Sequence, residues 1–333
     1  METLAEPCQA PGENDLMEIL GAAFFDDDSY SDNNKGSSSS KNGKVPVGSP
    51  LISSPKDGPG KVLYHCWQKT AEIFSVRFLA FEKMNFEDVY GVIIADSNYP
   101  YVIFERLFGD PPLRIDSEGY VRLTGPKRAI SALDYLSLTS CLFNSRMTER
   151  PVYRDGEMWS LHHTSFDQFM CKEVMTDFGP SEVQYAVYKN SAEAILEVAL
   201  IDWEGKGEFA TTKVEIFGIV ASRNNKVTDC RARSLLFEKK SEEAICVGFG
   251  DTIPLPLSRK VTVLPLGSIL MVDLCIWHRS NKFSMDVLVD ETVSFCSSLT
   301  GEVEKIVCGN RGKIKVKATW KSDISWQEIG GHL

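Results

Sequence analysis

Histidine is the side chain that most often performs acid–base or metal chemistry near neutral pH, and this chain has only five. Two of them, His162 and His163, are adjacent. Neighbouring side chains of a strand point to opposite faces, so the pair cannot readily bind one metal ion. We interpret both as exposed loop residues. No P-loop, H-E-x-x-H, G-x-S-x-G or EF-hand pattern occurs, and the sequence predicts no catalytic residue, cofactor or metal site.

Two basic positions are candidates for binding an acidic partner. Arg128 and Arg259 each stand beside a lysine, at similar points of two segments that resemble each other. They either line a shared groove or cap turns and pair with a local carboxylate, such as Asp134 or Asp273.

Lysines alternate with apolar residues at Lys313, Lys315 and Lys317. On a strand this spacing places three ammonium groups on one face. The face is either an anion-binding stripe or, as we favour, a solvated outer face that guards an edge strand against aggregation.

The first 60 residues differ in composition from the rest. They carry ten acidic and four basic side chains, a net charge of about −6. Residues 26–60 are rich in Ser, Gly, Asn, Asp and Pro, which cannot bury enough apolar area to offset the entropy of ordering. The sequence therefore predicts a disordered acidic tail at 1–60 and a β-rich domain at 61–333.

One segment of the tail, residues 15–25, has helical apolar spacing and is followed by three aspartates. It either folds into the apolar groove of a protein partner, docks on its own β-rich domain, or has no binding role. The candidate contact residues are Leu16, Ile19, Leu20, Phe24 and Phe25.

Charge and hydropathy argue against two classes of partner. The net charge is −10 and the pI is about 5.2, whereas nucleic-acid binding favours a basic surface. The longest apolar stretch, 261–277, is interrupted by Pro265, Gly267 and Asp273, so we expect no membrane span. The expected partner is a protein, and the sequence does not indicate an oligomeric state.

The nine cysteines are widely spaced and include no C-x-x-C pair. An odd number without close pairs is unlike a disulfide framework or a zinc site. The N-terminus lacks a basic start followed by an apolar run. We therefore expect reduced thiols in a cytoplasmic protein, or one that is also nuclear, and not a secreted one.

After residue 61 the sequence consists of short runs rich in Val, Ile, Phe and Tyr, separated by Gly, Asn, Asp and Pro. This pattern predicts an all-β fold, an antiparallel sandwich or barrel-like body. A short helical lead-in is possible at 61–74, and beyond it a helix is expected only around 165–175.

The β-rich part repeats itself in order. The segment VYGVI at 89–93 is echoed by IFGIV at 216–220, and SEVQYAVYKN at 181–190 by GEVEKIVCGN at 301–310. We infer an internal duplication with units at about 72–204 and 210–322. Gly91 and Gly218 lie inside predicted strands, where glycine usually marks a bulge or a close backbone approach.

The body resembles a plant family of domains of unknown function that is abundant in grasses. Most of residues 72–321 are covered by this resemblance. The matching motifs are SVRFLAF at 75–81, VYGVIIADS at 89–97, GPKRAISALD at 125–134, NSAEAILEVAL at 190–200 and KIKVKATW at 313–320.

Some members of that family are jasmonate-induced ribosome-inactivating proteins, in which such a domain follows a toxin N-glycosidase domain. The resemblance implies a stress or defence setting and no activity for the domain itself. The glycosidase needs E-x-x-R, and no glutamate here has an arginine three residues later. We expect a non-enzymatic interaction domain. The alternatives are an enzyme with a dispersed site and an accessory to translation control.

Overall fold

The described part of the chain is almost entirely β-strand, with one 3-10 turn at Ser241–Glu243 as its other regular element. The prediction of an all-β antiparallel protein is therefore confirmed. The predicted tail and its helical segment lie outside the described residues, so both stay predictions. The computed structural model describes residues 69–79, 89–97, 99–107, 109–110, 115, 118–144, 156–177, 179–201, 214–247, 252–281, 284–309 and 312–321.

Nine strands form the N-terminal half. They are β1 (Thr70–Phe78), β2 (Val89–Asp96), β3 (Pro100–Arg106), β4 (Tyr120–Val121), β5 (Ile130–Ser131), β6 (Tyr135–Asn144), β7 (Glu157–Ser160), β8 (Phe169–Thr176) and β9 (Gly179–Tyr188).

Ten strands form the C-terminal half. They are β10 (Ser191–Ile201), β11 (Val214–Asn224), β12 (Ser234–Lys239), β13 (Ile245–Val247), β14 (Thr252–Pro254), β15 (Val261–Pro265), β16 (Ile269–Asn281), β17 (Ser284–Cys296), β18 (Gly301–Cys308) and β19 (Lys313–Lys321).

Each half is a sandwich of two antiparallel sheets, and the two halves have the same strand order. Sheet A has the order β4-β1-β9-β8, with β5 also paired to β1; sheet C has β14-β10-β19-β18, with β15 paired to β10. Sheet B has the order β3-β2-β6-β7, and sheet D has β12-β11-β16-β17, with β13 as an addition. Sheets A and B enclose one apolar core, and sheets C and D enclose a second.

Strand pairing divides the halves at a different place from the predicted repeat. Because β9 pairs with β1 and β10 pairs with β19, the division falls between residues 188 and 191. The predicted end of the first unit at 204 is therefore too late. The echo of 181–190 in 301–310 also joins unlike strands, since the first is β9 and the second is β18, the counterpart of β8. Short strands with alternating apolar and polar residues have similar sequences, which explains why the predicted repeat matched two strands that are not equivalent.

The glycine prediction is confirmed in both halves. Gly91 has a φ of +124° and Gly218 a φ of +132°, in a region that side chains rarely adopt. A Cβ at these positions would collide with the carbonyl oxygen of Cys141 and of Cys275, which belong to the paired strands β6 and β16. A register shift follows each glycine, between residues 93 and 94 and between 220 and 221. The two halves therefore share their backbone irregularities as well as their topology.

Three local expectations have different outcomes. The possible helical lead-in at 61–74 is wrong from residue 70 onward, where β1 begins, and 61–68 lie outside the described residues. The helix expected around 165–175 is also wrong, because β8 pairs along its whole length with β9 at the edge of sheet A. The alternating lysines of β19 do lie on one face. Lys315 and Lys317 lie 3.7 and 3.1 Å from Glu304 and Glu302 of β18. This pairing supports the interpretation of a solvated outer face. The expectation that the face guards an edge strand is wrong, because β19 lies between β10 and β18.

The two halves meet through carboxylates that cross between them. Glu72 lies near the start of β1, in the sequence T-A-E, and Glu193 near the start of β10, in the sequence S-A-E. The Val263 N–H donates to Glu72 Oε2 at 2.9 Å, and the Ala129 N–H donates to Glu193 Oε2 at 2.6 Å. Each half therefore accepts a backbone hydrogen bond from the other at equivalent positions, as in a two-fold symmetric interface.

Further contacts close the same interface. Thr70 Oγ1 donates to Ser191 Oγ at 2.6 Å, and these residues begin the two equivalent strands. Arg122 forms an ion pair of 2.6 Å with Glu238. An apolar cluster fills the interface, formed by Phe74, Ala129, Ala186, Tyr188, Val227, Ala232 and Val263.

Candidate functional site

The structure does not bring the two predicted arginines together in a groove. Arg128 is exposed before β5, and its guanidinium lies over the rings of Tyr99 and Tyr101, 6.0 and 5.0 Å from their centroids. The side chain of Arg259 is only 1% exposed, inside the interface between the halves. Its partner is Glu72 and not Asp273 as the sequence suggested. Arg259 therefore has a structural position, and its predicted contact with a partner is a proposal that the packing does not favour.

Glu72 and Arg259 form the centre of a buried polar network. Arg259 Nη1 donates to the carbonyl of Ile73 at 2.6 Å, and Nη2 donates to Glu72 Oε1. Ser234 Oγ also donates to Glu72 Oε1. Burial raises the pKa of Glu72, and the charge of Arg259 and these hydrogen bonds oppose that rise. The network fixes the two sandwiches relative to each other.

The predicted tail contacts, from Leu16 to Phe25, lie outside the described residues and stay predictions. His162 and His163 occupy an exposed turn after β7, as the sequence predicted. Among the described residues, no group of three or more His, Cys, Asp or Glu side chains is placed to hold a metal ion.

A cleft of about 610 Å³ lies on the outer face of sheet D. Alternation along β11, β16 and β17 sends one set of side chains into the core and leaves the other on this face. The cleft crosses three paired strands from β11 to the edge strand β17. Its lining residues are Ile219, Ala221, Arg223, Arg233, Asp273, Leu274, Cys275, Asp290, Glu291 and Thr292.

A bidentate ion pair forms the floor of the cleft. Arg223 Nε and Nη2 donate to the two carboxylate oxygens of Asp273, at 2.7 and 3.2 Å, and Thr292 Oγ1 donates to Asp273 Oδ1 at 2.7 Å. Burial raises the pKa of Asp273, but these hydrogen bonds and the charges of Arg223 and Arg233 outweigh burial and hold the pKa below its usual value. The floor is therefore an ionised pair joined by hydrogen bonds.

The rim of the cleft has opposite charges on its two sides. Arg233 lies beside β12 and Asp290 lies on β17, and both side chains are exposed. Glu291 is also exposed but lies on the alternate side of β17, opposite Leu274. Within the described part of the chain, neither Arg233 nor Asp290 forms an ion pair, although the charge of Arg233 acts on Asp273. Opposite charges across an open cleft favour a ligand that itself carries separated charges.

The cleft contains one thiol, that of Cys275, and no histidine is among its lining residues. The other titratable acids of the lining are Asp273, Asp290 and Glu291, and Asp290 lies directly opposite Cys275 in the pairing of β16 with β17. Opposite charges gathered on one face are suited to binding by charge and shape.

Sequence reasoning did not find this site. Arg223 and Asp273 are 50 residues apart, and nothing in the local pattern pairs them. Two signals were present in the sequence. The strands β11 and β16 carry the opposite charges of Arg223 and Asp273 where β2 and β6 have Asp96 and Thr139, and β17 carries the acidic dipeptide Asp290-Glu291.

A family model, the domain of unknown function DUF6598, matches residues 70–318. The chain therefore belongs to this family, and the match spans both sandwiches. A search of curated proteins found no significant match. No helix among the described residues is long and apolar enough to cross a membrane.

Similarities to solved structures are low. Human GIVD cytosolic phospholipase A2 matches with a TM-score of 0.22 and 11% identity, over 78% of this chain and 30% of that chain. The same enzyme with methyl gamma-linolenyl fluorophosphonate matches with a TM-score of 0.23 and 10% identity, over 77% and 32%. This chain thus spans about a third of the length of those proteins, and scores at this level carry no argument about fold or function.

Proposed function

We propose that the chain is a non-enzymatic interaction protein and that the outer face of sheet D is its recognition surface. The observation that carries the proposal is the charge-separated cleft, with Arg233 on one side and Asp290 on the other. An ionised Arg223–Asp273 pair forms the floor of the cleft. Sites with opposite rim charges suit the binding of a protein partner.

The proposed setting is a stress or defence response in a plant cell. Its support is the resemblance of GPKRAISALD and the other motifs to the plant domain family, and an accessory role in translation control rests on that resemblance alone. The proposed compartment is the cytoplasm or nucleus. It is supported by the seven cysteines in the described part of the chain, all of which are free thiols.

Charge-reversed variants test the recognition surface. The full chain, Arg233→Glu and Asp290→Lys are immobilised and used to capture proteins from plant cell extract. Glu173→Lys is the matched control, because Glu173 is an exposed carboxylate on β8 in the other half. We expect the wild type and E173K to retain the same proteins, and R233E and D290K to lose them. If all four forms retain the same set, the recognition surface lies elsewhere.

A further inference from the structure

Strand β18 (Gly301–Cys308) forms one edge of sheet C. Within the described part of the chain it pairs only with β19, and residues 301–308 form no backbone hydrogen bond with any other segment. Every residue of the strand except Val307 is exposed. An open strand edge of this kind presents N–H and C=O groups that can pair with another extended segment.

The two faces of β18 carry different side chains. Glu302, Glu304 and Ile306 lie on the outer face of sheet C, and Val303 and Lys305 lie on the other face, because they pair with core residues of β19. Both faces are open to solvent, since Val303 is 42% exposed and Ile306 56% exposed. Large apolar side chains exposed on an edge strand are typical of a surface that binds a partner.

The two carboxylates of the outer face retain room for a second cation. Glu302 and Glu304 lie 3.1 and 3.7 Å from Lys317 and Lys315 of β19, and their side chains are nevertheless 57% and 50% exposed. A carboxylate accepts several hydrogen bonds, so each can also bind a cation on the side away from β19. Because the two glutamates are two residues apart on one face, an added strand would meet them with residues at alternate positions.

The charges of β18 disfavour pairing with a second copy of itself. In a two-fold symmetric antiparallel pair, the outer faces of both strands lie on the same side of the joined sheet. The central registers then place Glu304 opposite Glu304, Glu302 opposite Glu304, or Lys305 opposite Lys305 of the second copy. Like charges directly opposite each other are destabilising, so the edge favours a segment with another order of charges.

The equivalent edge of the N-terminal half is occupied. Strand β8 is the counterpart of β18, and its Met175 N–H donates to Glu157 Oε2 at 2.8 Å. Lys172 of β8 lies 3.5 Å from the carboxylate of the same glutamate. A strand added to β8 would have to displace these contacts, so the open edge belongs to the C-terminal half.

We infer that β18 accepts an extended segment of a partner protein as an additional antiparallel strand of sheet C. The segment carries lysine or arginine opposite Glu302 and Glu304, and an acidic residue opposite Lys305. Its apolar side chains lie opposite Val303 and Ile306. From its N-terminus, the segment is therefore apolar, acidic, basic, apolar and basic. Backbone pairing supplies the affinity, and the side chains of β18 select the segment.

This surface is distinct from the cleft on the outer face of sheet D, and the inference does not depend on the proposed function. Labelled, capped peptides test it on the full chain. TIEKVKT carries the expected pattern, and TIKEVET has every charge reversed. Binding is measured by fluorescence anisotropy, and the contact is located by amide exchange.

Two N-methylated forms of TIEKVKT test backbone pairing itself. One is methylated at the odd positions and the other at the even positions, so both keep the charges. Alternate residues of an antiparallel strand direct their N–H groups to the same neighbour, so only one of the two sets faces β18. Methylation of that set removes the hydrogen bonds to β18, and methylation of the other set leaves them in place.

We expect TIEKVKT to bind and to protect amides within 301–306, and TIKEVET not to bind. One N-methylated form should bind about tenfold or more weakly, and the other should bind like the parent peptide. The triple variant Glu302→Lys/Glu304→Lys/Lys305→Glu should bind TIKEVET in place of TIEKVKT, and E173K should retain the wild-type preference. The thermal transition of each variant confirms that it is folded, and the N-methylated forms test the inference on the wild type alone.

Several results would overturn strand addition: no binding of TIEKVKT, equal binding of both N-methylated forms, or protection of amides outside β18 only. A folded triple variant that still prefers TIEKVKT would show that the charges of β18 do not select the segment. If TIEKVKT does not bind while R233E and D290K still lose their captured proteins, the cleft on sheet D is the recognition surface and this inference is wrong.

Discussion

The outer faces of sheets B and D occupy equivalent places in the two halves and have opposite character. On sheet B, Tyr90, Val92, Ile94, Cys141 and Phe143 form an apolar cluster in which each residue is at most 6% exposed. On sheet D, the equivalent face carries the Arg223–Asp273 pair and the open cleft. One backbone topology therefore supports a buried apolar face in one half and an exposed charged face in the other. Topology fixes which side chains share a face, and side-chain chemistry decides what the face can bind.

The interface between the halves shows a second asymmetry. Glu72 accepts hydrogen bonds from Arg259, Ser234 and the Val263 N–H, and Glu193 accepts a hydrogen bond from the Ala129 N–H. The symmetric part is the carboxylate-to-backbone contact. The buried arginine is present on one side only.

The largest expected effect comes from breaking the buried pair. Arg259→Met leaves the Glu72 carboxylate without its counter-charge and should lower the free energy of unfolding by about 3–5 kcal/mol. The double variant Glu72→Met/Arg259→Met should lose less unfolding free energy than Arg259→Met alone, because it buries no uncompensated charge. Urea unfolding of the full chain measures both. A double variant less stable than R259M would show that the hydrogen bonds of Glu72 with Ser234 and Val263 outweigh the cost of its uncompensated charge.

A matched pair of substitutions tests the contrast between the outer faces. Val92 and Ile219 each follow the equivalent glycine by one residue, and they are 3% and 38% exposed. Val92→Asp buries a carboxyl in an apolar cluster and should lower the free energy of unfolding by about 3 kcal/mol or more. Ile219→Asp should lower it by less than about 1 kcal/mol, because the side chain at this position reaches solvent. Equal losses in urea unfolding would contradict the difference in burial.

The cysteines at equivalent positions of the two faces should differ in reactivity. Burial, with a contribution from Asp177, raises the pKa of Cys141 to about 11. Cys275 lies in the open cleft. At pH 8 the thiolate fraction of Cys141 should be about a hundredfold below that of an ordinary thiol. Iodoacetamide labelling followed by peptide mass spectrometry should modify Cys275 well before Cys141, and the reverse order would contradict the assignment of the two faces.

The glycines test where the halves are alike. Gly91→Ala and Gly218→Ala each introduce a Cβ against the carbonyl of a paired strand. Each should lower the free energy of unfolding by about 2 kcal/mol, and the two values should be similar. Gly179→Ala is the control, because Gly179 has a φ of +93° with open space around it, and only backbone strain applies. Thermal unfolding compares the three. A large difference between G91A and G218A would break the equivalence of the halves.

The smallest expected effect concerns the pH dependence of the cleft floor. The pKa of Asp273 is lowered in the folded chain, so its contribution to stability is present above the unfolded pKa of about 4 and is lost as the pH falls through the folded pKa. Asp273→Asn should therefore cost about 0.5–1 kcal/mol at pH 7, and the difference from wild type should shrink at pH 3. Urea midpoints at the two pH values measure this. A difference that is independent of pH would mean that ionisation of Asp273 is not involved.

Part of the fold follows directly from local sequence. The alternation in KIKVKATW places Ile314, Val316 and Ala318 in the core and the lysines outside, because strand side chains alternate between faces. Gly91 and Gly218 were identifiable because each interrupts a run of bulky residues. These features depend on a few consecutive residues, and such patterns can be interpreted without knowing which strands pair.

The tertiary structure decided the pairing of strands and everything that depends on it. The helix expected around 165–175 is the edge strand β8, because pairing with β9 outweighs local helical preference. Glu72 and Arg259 are 187 residues apart, and only the packing of the two sandwiches brings them into contact. The sequence alone determined an all-β fold with an internal duplication. Long-range packing determined that Arg259 is buried and that the charged face of sheet D is open.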